Sequence, residues 1–213
     1  MTDTSGRKLG ILGGTFNPPH LGHLLCAQEA HDRLGLDLVL FMPVALAPHK
    51  AIDDDPGPEV RAELCAAAVE GDERFEVSTL EVERGGPSYT VDTLRELHAR
   101  HPDDELTFIV GGDMALSLPT WREPEAILSL ARLAVAERRG AMRREIERRL
   151  AVLPGALARL DFLDLPRVDI SSTMVRRRVA AGRPIRYLVP ERVMEEIAAR
   201  RLYRKGAVGT SLS

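Results

Sequence analysis

The residues best suited to chemistry stand together near the start of the chain, in Gly13-Gly14-Thr15-Phe16-Asn17-Pro18-Pro19-His20-Leu21-Gly22-His23. Two glycines after an apolar run let a ligand approach the backbone, and Pro19 suits a helix start. The helix that follows offers unpaired N–H groups and the positive end of its dipole, so the stretch reads as a phosphate cradle. It matches neither the GxGxxG of a dinucleotide fold nor the GxxxxGK[ST] of a P-loop. His20 and His23 lie three apart, on nearly one face of the first turn, with Gly22 clearing the space between them. Two imidazole donors aimed at one anion would follow. A metal pair competes, but no third His, Cys or carboxylate lies at ligand spacing, so no protein metal site is expected.

A second anion-binding device is Ser171-Ser172-Thr173 at a helix start, with Arg176 one turn on. Hydroxyls, free N–H groups and a guanidinium can converge there, although an ordinary N-cap before a solvated Arg-rich helix reads the same way. Lys50, in a long loop, could close over phosphates or simply be solvated. Asp113 follows an apolar strand and Gly111-Gly112, where it could accept from ribose hydroxyls or cap a helix. The basic stretch Arg138 to Arg149 contains Glu145 and Glu147 and reads as a salt-bridged surface helix, not a nucleic-acid site.

These residues need a scaffold, and the 213-residue chain is long enough to bury a sizeable core. Its 44% hydrophobic and 29% charged residues exclude intrinsic disorder, and a formal charge of -3 supplies no global field for nucleic acid, so any anion site is local. No apolar run approaches the roughly 20 residues of a membrane span and the start lacks a secretory signal, so a cytoplasmic protein with no membrane partner is expected. Cys26 and Cys65 sit in apolar helix-like segments and read as buried reduced thiols.

Strands are predicted at Leu9 to Leu12, Leu38 to Met42, Phe75 to Thr79, Leu106 to Val110, Leu133 to Ala136 and Leu160 to Leu163. Helices are predicted at Leu21 to Leu34, Glu59 to Val69, Thr90 to Arg100, Arg143 to Leu150, Ser172 to Ala180 and Glu191 to Arg201. In the second of these, Val60, Leu64, Ala67 and Ala68 mark one face. This alternation predicts an α/β, Rossmann-like doubly wound parallel sheet with a small helical C-terminal part. One domain over 1–205 is expected, its helical part at about 171–205, with 206–213 a frayed tail.

The ordered blocks are specific. His20-Leu21-Gly22-His23, Pro48-His49-Lys50, Ser88-Tyr89-Thr90-Val91-Asp92-Thr93-Leu94, Gly111-Gly112-Asp113, Trp121 and Ile170-Ser171-Ser172-Thr173-Met174-Val175-Arg176 together resemble the HxGH nucleotidyltransferases. Within these they are most similar to the bacterial nicotinate-nucleotide adenylyltransferases. The resemblance runs from Leu9 to about Tyr203. It implies adenylyl transfer from ATP to nicotinate mononucleotide, giving nicotinate adenine dinucleotide and pyrophosphate in NAD biosynthesis. A related transferase for nicotinamide mononucleotide or phosphopantetheine, or a non-catalytic nucleotide sensor, is the alternative.

The resemblance also assigns roles. His20 and His23 would hydrogen-bond the ATP phosphates, and the backbone of Gly13, Gly14, Thr15 and Phe16, with Gly22, would hold the nucleotide. Ser171, Ser172, Thr173 and Arg176 would face the pyrophosphate side. Arg138 falls where the family usually has an Arg-Pro-Gly turn, here Arg138-Arg139-Gly140. Trp121 would stack on the pyridine ring, although a lone tryptophan more often fills a core. Backbone N–H groups at Thr90 and Ser117 would meet the nicotinate carboxylate; relatives often carry an aromatic where Ser117 stands. Asn17 stands where many relatives have aspartate, and Mg²⁺ would be held mainly by ATP phosphates and water. Oligomeric state, a homo-oligomer included, stays open.

Overall fold

The computed structural model describes residues 6–47, 53–137 and 142–204. The apolar runs form β1 (Lys8–Gly14), β2 (Leu38–Pro43), β3 (Phe75–Val77), β4 (Glu105–Gly111), β5 (Ala131–Glu137) and β6 (Leu160–Asp164). All are parallel, in the order β3-β2-β1-β4-β5-β6. Parallel neighbours cannot be joined by a tight turn, so helices carry the crossovers. They are α1 (Leu21–Leu34), α2 (Pro58–Val69), α3 (Leu80–Arg84), α4 (Thr90–Arg100), α5 (Gly112–Ser117), α6 (Pro124–Leu130), α7 (Arg143–Leu150), α8 (Ser172–Ala180) and α9 (Glu191–Ala199).

Strand side chains alternate between the two faces of the sheet, and both faces are covered. Leu9, Ile11, Leu38, Leu40 and Met42 pack with Val91 and Leu94 of α4, Ile127 of α6 and Ile146 of α7. On the opposite face Val39 and Phe41 pack with Cys26, Ala27 and Ala30 of α1 and Cys65 and Val69 of α2. This is the Rossmann-like α/β fold that the alternation of elements predicts.

Helix α2 is buried on two sides. Cys65 and Val69 face the sheet, whereas Leu64 and Ala68 join Val175 of α8 and Val193 and Ile197 of α9 in a third cluster, with Val60 and Ala67 at its margin. The face expected from Val60, Leu64, Ala67 and Ala68 is therefore the one turned to the C-terminal helices. The sheet-side face includes Arg61, which is 0% exposed.

Three short helices are absent from the sequence-based expectation. Helices α3, α5 and α6 span five, six and seven residues, too short for a 3.6-residue period to stand out. Strand β3 stops at Val77 because Thr79 opens α3, and α9 stops at Ala199. Both cysteines are buried and unpaired, and burial pushes the Cys26 thiol up to about 12. Among the described residues no helix is long and apolar enough to cross a membrane.

Candidate active site

The chain runs outward from β1 to β2 and β3, then returns to place β4 on the other side of β1. Loops leaving β1 and β4 therefore diverge at their carboxyl ends and open a crevice there, the usual ligand position in a doubly wound sheet. The two glycine pairs that end apolar runs in the sequence, Gly13-Gly14 and Gly111-Gly112, both lie at this switch point.

The β1 side is built around tight contacts. A Cβ at Gly13 would come 3.3 Å from the Phe108 ring, and one at Gly14 would come 3.1 Å from the Phe16 ring. Phe16 adopts a left-handed backbone, φ 47, and its side chain is buried. A non-glycine residue holds that conformation only where its surroundings impose it. Here the Phe16 ring meets the His23 ring edge-on at 4.9 Å and packs against Phe41 at 5.6 Å. Phe16 thus bears on the catalytic candidate from below, and only its backbone is available to a ligand.

His20, in extended backbone, is the N-cap of α1, and its ring stacks on that of His23 with centroids 3.7 Å apart. The His20 N–H donates to His23 Nδ1 at 3.2 Å. That bond fixes the neutral tautomer of His23, leaving the proton on Nε2 as a donor. Burial, reinforced by the neighbouring His20, holds the His23 imidazole well below its ordinary range. His23 is half-buried, with the Phe16 and His20 rings against it.

The first turn of α1 is less open than the sequence suggests. The Leu21 N–H already donates to the Leu188 carbonyl at 3.0 Å, and the His20 N–H is taken by His23. Side-chain donors and the helix dipole accordingly carry more of the cradle than main-chain amides do. Gly22 does clear space as expected: a Cβ there would lie 3.1 Å from His20 Cε1 and Nδ1. Gly22→Ala is expected to raise helix stability by up to about 1 kcal/mol. It would also push the His20 ring and lower kcat about tenfold through misplacement. Thermal unfolding and turnover measured on one preparation check this opposite pair of effects.

Helix α8 reaches the same loop. The Ser171 hydroxyl caps it by accepting from the Met174 N–H at 3.2 Å. Ser172 Oγ donates to the Pro18 carbonyl at 2.8 Å and Arg176 Nη1 to the Asn17 carbonyl at 2.9 Å. Thr173 is exposed beside them. Ser172 and Arg176 therefore dock α8 onto the β1 loop, a use that the phosphate-facing expectation did not include. Arg176 Nε is buried and has no hydrogen-bond partner among the described residues, 3.7 Å from Asp54 Oδ2.

Two residues not singled out by sequence hold this loop. Arg61, on α2, donates to Asp55 Oδ1 at 2.9 Å, to the Thr15 carbonyl at 3.0 Å and to the Ala45 carbonyl at 3.1 Å. A charge at 61 in the apolar spacing 61, 64, 65, 68 was the available signal. Tyr203 donates its hydroxyl to Asn17 Oδ1 at 2.7 Å, and Asn17 Nδ2 donates to the Asp53 carbonyl at 2.9 Å. Asn17, 1% exposed, thus has both ends of its amide satisfied. Asn17→Asp would set a carboxylate oxygen against the Asp53 carbonyl and is expected to cost about 1–3 kcal/mol at pH 8. The cost should shrink as pH falls, because the folded state would favour the protonated acid. Urea midpoints at pH 8 and pH 5 check it.

On the β4 side Asp113 is exposed in the first turn of α5, and Thr90 opens α4. Trp121 is half-buried, its edge toward the Phe108 ring at 6.1 Å and its Nε1 donating to Ser117 Oγ at 2.9 Å. Ser117 closes the last turn of α5, where N–H groups are spent within the helix, so a free Ser117 amide for a carboxylate is not what this geometry provides. The third residue missed is Arg122, whose guanidinium lies 4.9 Å from the Tyr89 ring centroid and 3.2 Å from Asp92 Oδ2, at the start of α4. Lys50 and Arg138 lie outside the described residues.

A crevice at the switch point, a histidine pair on a helix start and a docked Arg-bearing helix define a nucleotidyltransferase of the Rossmann-like class, and the cytidylyltransferase-like family profile matches residues 11–178. The probable nicotinate-nucleotide adenylyltransferase of Desulfitobacterium hafniense (strain Y51) is 43% identical over 199 residues, covering 93% of this chain and 96% of its own. That of Geobacter sp. (strain M21) is 44% identical, covering 92% and 98%. The fold is shared with Plasmodium falciparum nicotinic acid mononucleotide adenylyltransferase complexed with NaAD, at TM-score 0.75, 16% identity and coverage of 92% and 97%. The chain belongs to the nicotinate-nucleotide adenylyltransferase family.

Proposed function

We propose that this enzyme transfers the adenylyl group of ATP to the phosphate of nicotinate mononucleotide. The observation that carries this is the stacked His20–His23 pair at the start of α1, beside the carboxyl end of β1, with His23 held neutral and its proton on Nε2. A mononucleotide phosphate oxygen attacks the α-phosphorus of ATP and the bond from that phosphorus to the bridging oxygen breaks, so pyrophosphate leaves with the bonding pair. The attacking phosphate is already ionised at neutral pH, and a general base would add little. Catalysis is then positioning of two nucleotides and neutralisation of charge on the transferring and leaving groups.

His23 Nε2 and the His20 ring donate to the ATP phosphates over the Gly13–Phe16 backbone. Ser171, Thr173 and the free edge of Arg176 meet the pyrophosphate side while Ser172 keeps α8 in place. Asp113 accepts from a ribose hydroxyl, and Lys50 and Arg138 add cations. Among the described residues no three His, Cys, Asp or Glu side chains are arranged to hold a metal ion. This imidazole, hydroxyl and guanidinium donor set suits phosphate, so Mg²⁺ would ride on the ATP phosphates and water and screen their charge. Thiols buried at Cys26 and Cys65 suit a reducing compartment such as the cytosol.

Trp121 covers the pyridine ring, and the α4 start at Thr90, with Arg122 beside it, reads the carboxylate. Trp121→Ala is expected to raise KM for the mononucleotide about tenfold or more, with a smaller change in kcat, from loss of stacking area. Steady-state kinetics in both substrates check it. The function itself is tested by pyrophosphate release with ATP, Mg²⁺ and either the acid or the amide mononucleotide. Turnover favouring the acid is expected. Equal or higher kcat/KM with the amide would overturn the acid-specific reading, and no release with either would overturn the transferase.

A further inference from the structure

The indole of Trp121 is pinned by a relay of side-chain hydrogen bonds. Ser117 Oγ donates to the Met114 carbonyl at 2.8 Å, which commits its single proton and turns a lone pair toward the indole. Trp121 Nε1 donates to that oxygen at 2.9 Å. The Ser117 carbonyl in turn accepts from Thr120 Oγ1 at 2.7 Å, closing the turn that delivers the tryptophan. On the far side the ring meets Phe108 of β4 in an edge contact, interplanar angle 77°. With its nitrogen edge and one flank both fixed, the indole cannot rotate about its side-chain bonds without breaking the relay.

We propose that the Ser117 hydroxyl is a positioning residue: it sets the plane of the Trp121 ring and so the fit of that ring to the pyridine of the mononucleotide. This rests on the reading of Trp121 given under the proposed function. An aromatic side chain at 117 carries no aliphatic hydroxyl at this position, so the relay is a feature of the serine. The role belongs to the side chain, whereas the backbone of the same residue is engaged within α5.

Trp121 is the only tryptophan, so fluorescence excited at the red edge, beyond tyrosine absorption, reports on this ring alone. In the full-length enzyme Ser117→Ala removes the acceptor while favouring the helix. Emission is expected to move to longer wavelength and its anisotropy to fall as the indole N–H turns to water. KM for nicotinate mononucleotide should rise about three- to tenfold, the worth of one net hydrogen bond, with KM for ATP unmoved. Ser117→Thr, which keeps the hydroxyl, should restore both readouts. In a Trp121→Phe background Ser117→Ala should leave the mononucleotide KM unchanged.

Unaltered emission and anisotropy in Ser117→Ala would overturn the proposal, whatever the KM. A shifted emission with an unaltered KM would instead sink the mononucleotide reading of Trp121 and the positioning role with it. An equal rise in KM in the Trp121→Phe background would show the hydroxyl acting by another route, which also overturns the proposal.

Discussion

Replacing His23 by alanine is expected to lower kcat about 10²–10³-fold, the worth of one preorganised donor aimed at developing charge. KM for ATP should change less, because the donor acts chiefly on the transition state. The fold should survive at a cost of about 1 kcal/mol, since the His20 N–H loses its acceptor at Nδ1. Rapid-quench or coupled pyrophosphate assays measure the first effect and urea unfolding the second. Near-parental turnover would remove His23 from the chemistry.

The same residue gives stability a pH dependence. The folded state keeps His23 neutral, whereas the unfolded chain takes up a proton near the ordinary value of 6.5. Below that pH the unfolded state binds more protons, so this contribution is fully present above about 6.5 and falls away toward the lowered folded value. His23→Gln should flatten that part of the profile, which urea midpoints between pH 7.5 and pH 5 would reveal.

The largest expected loss of stability follows Arg61→Ala, at about 3–5 kcal/mol, from two stranded acceptors at about 1–3 kcal/mol each. The side chain is fully buried, so removal strands the Thr15 and Ala45 carbonyls without a donor, while Asp55 can turn to water. For a chain of this size the thermal midpoint should drop by about 6–20 °C. Arg61→Lys keeps the charge but not the planar fork, so it should recover only part of the loss. Scanning calorimetry with ATP titration separates two consequences, since release of Thr15 should also weaken nucleotide binding. A midpoint within a degree of the parent would show that the loop holds without this clamp.

Much of the scaffold is legible in the sequence because its signals are local. Strands β1, β2 and β4 are apolar runs ended by glycine or proline, and α1, α4, α7 and α8 start and stop where the sequence pattern places them. The histidine pair and the Ser171 cap are likewise local features. What was not legible depends on contacts far apart in the chain. Arg61 reaches Thr15 across 46 positions and Tyr203 reaches Asn17 across 186, and no spacing rule encodes either. Arg61 looks like an ordinary charge on a helix until the sheet is placed under it. Ser117 is legible as a position but not as the acceptor for the indole, because that role appears only when the turn over Leu118–Thr120 brings Trp121 back to it.

A crystal structure with a non-hydrolysable ATP analogue and Mg²⁺ tests the central claim most directly. The expected result is a triphosphate over the Gly13–Phe16 backbone with an oxygen within hydrogen-bond reach of His23 Nε2. Nucleotide bound elsewhere, with side chains filling the β1/β4 crevice at the start of α1, would contradict it.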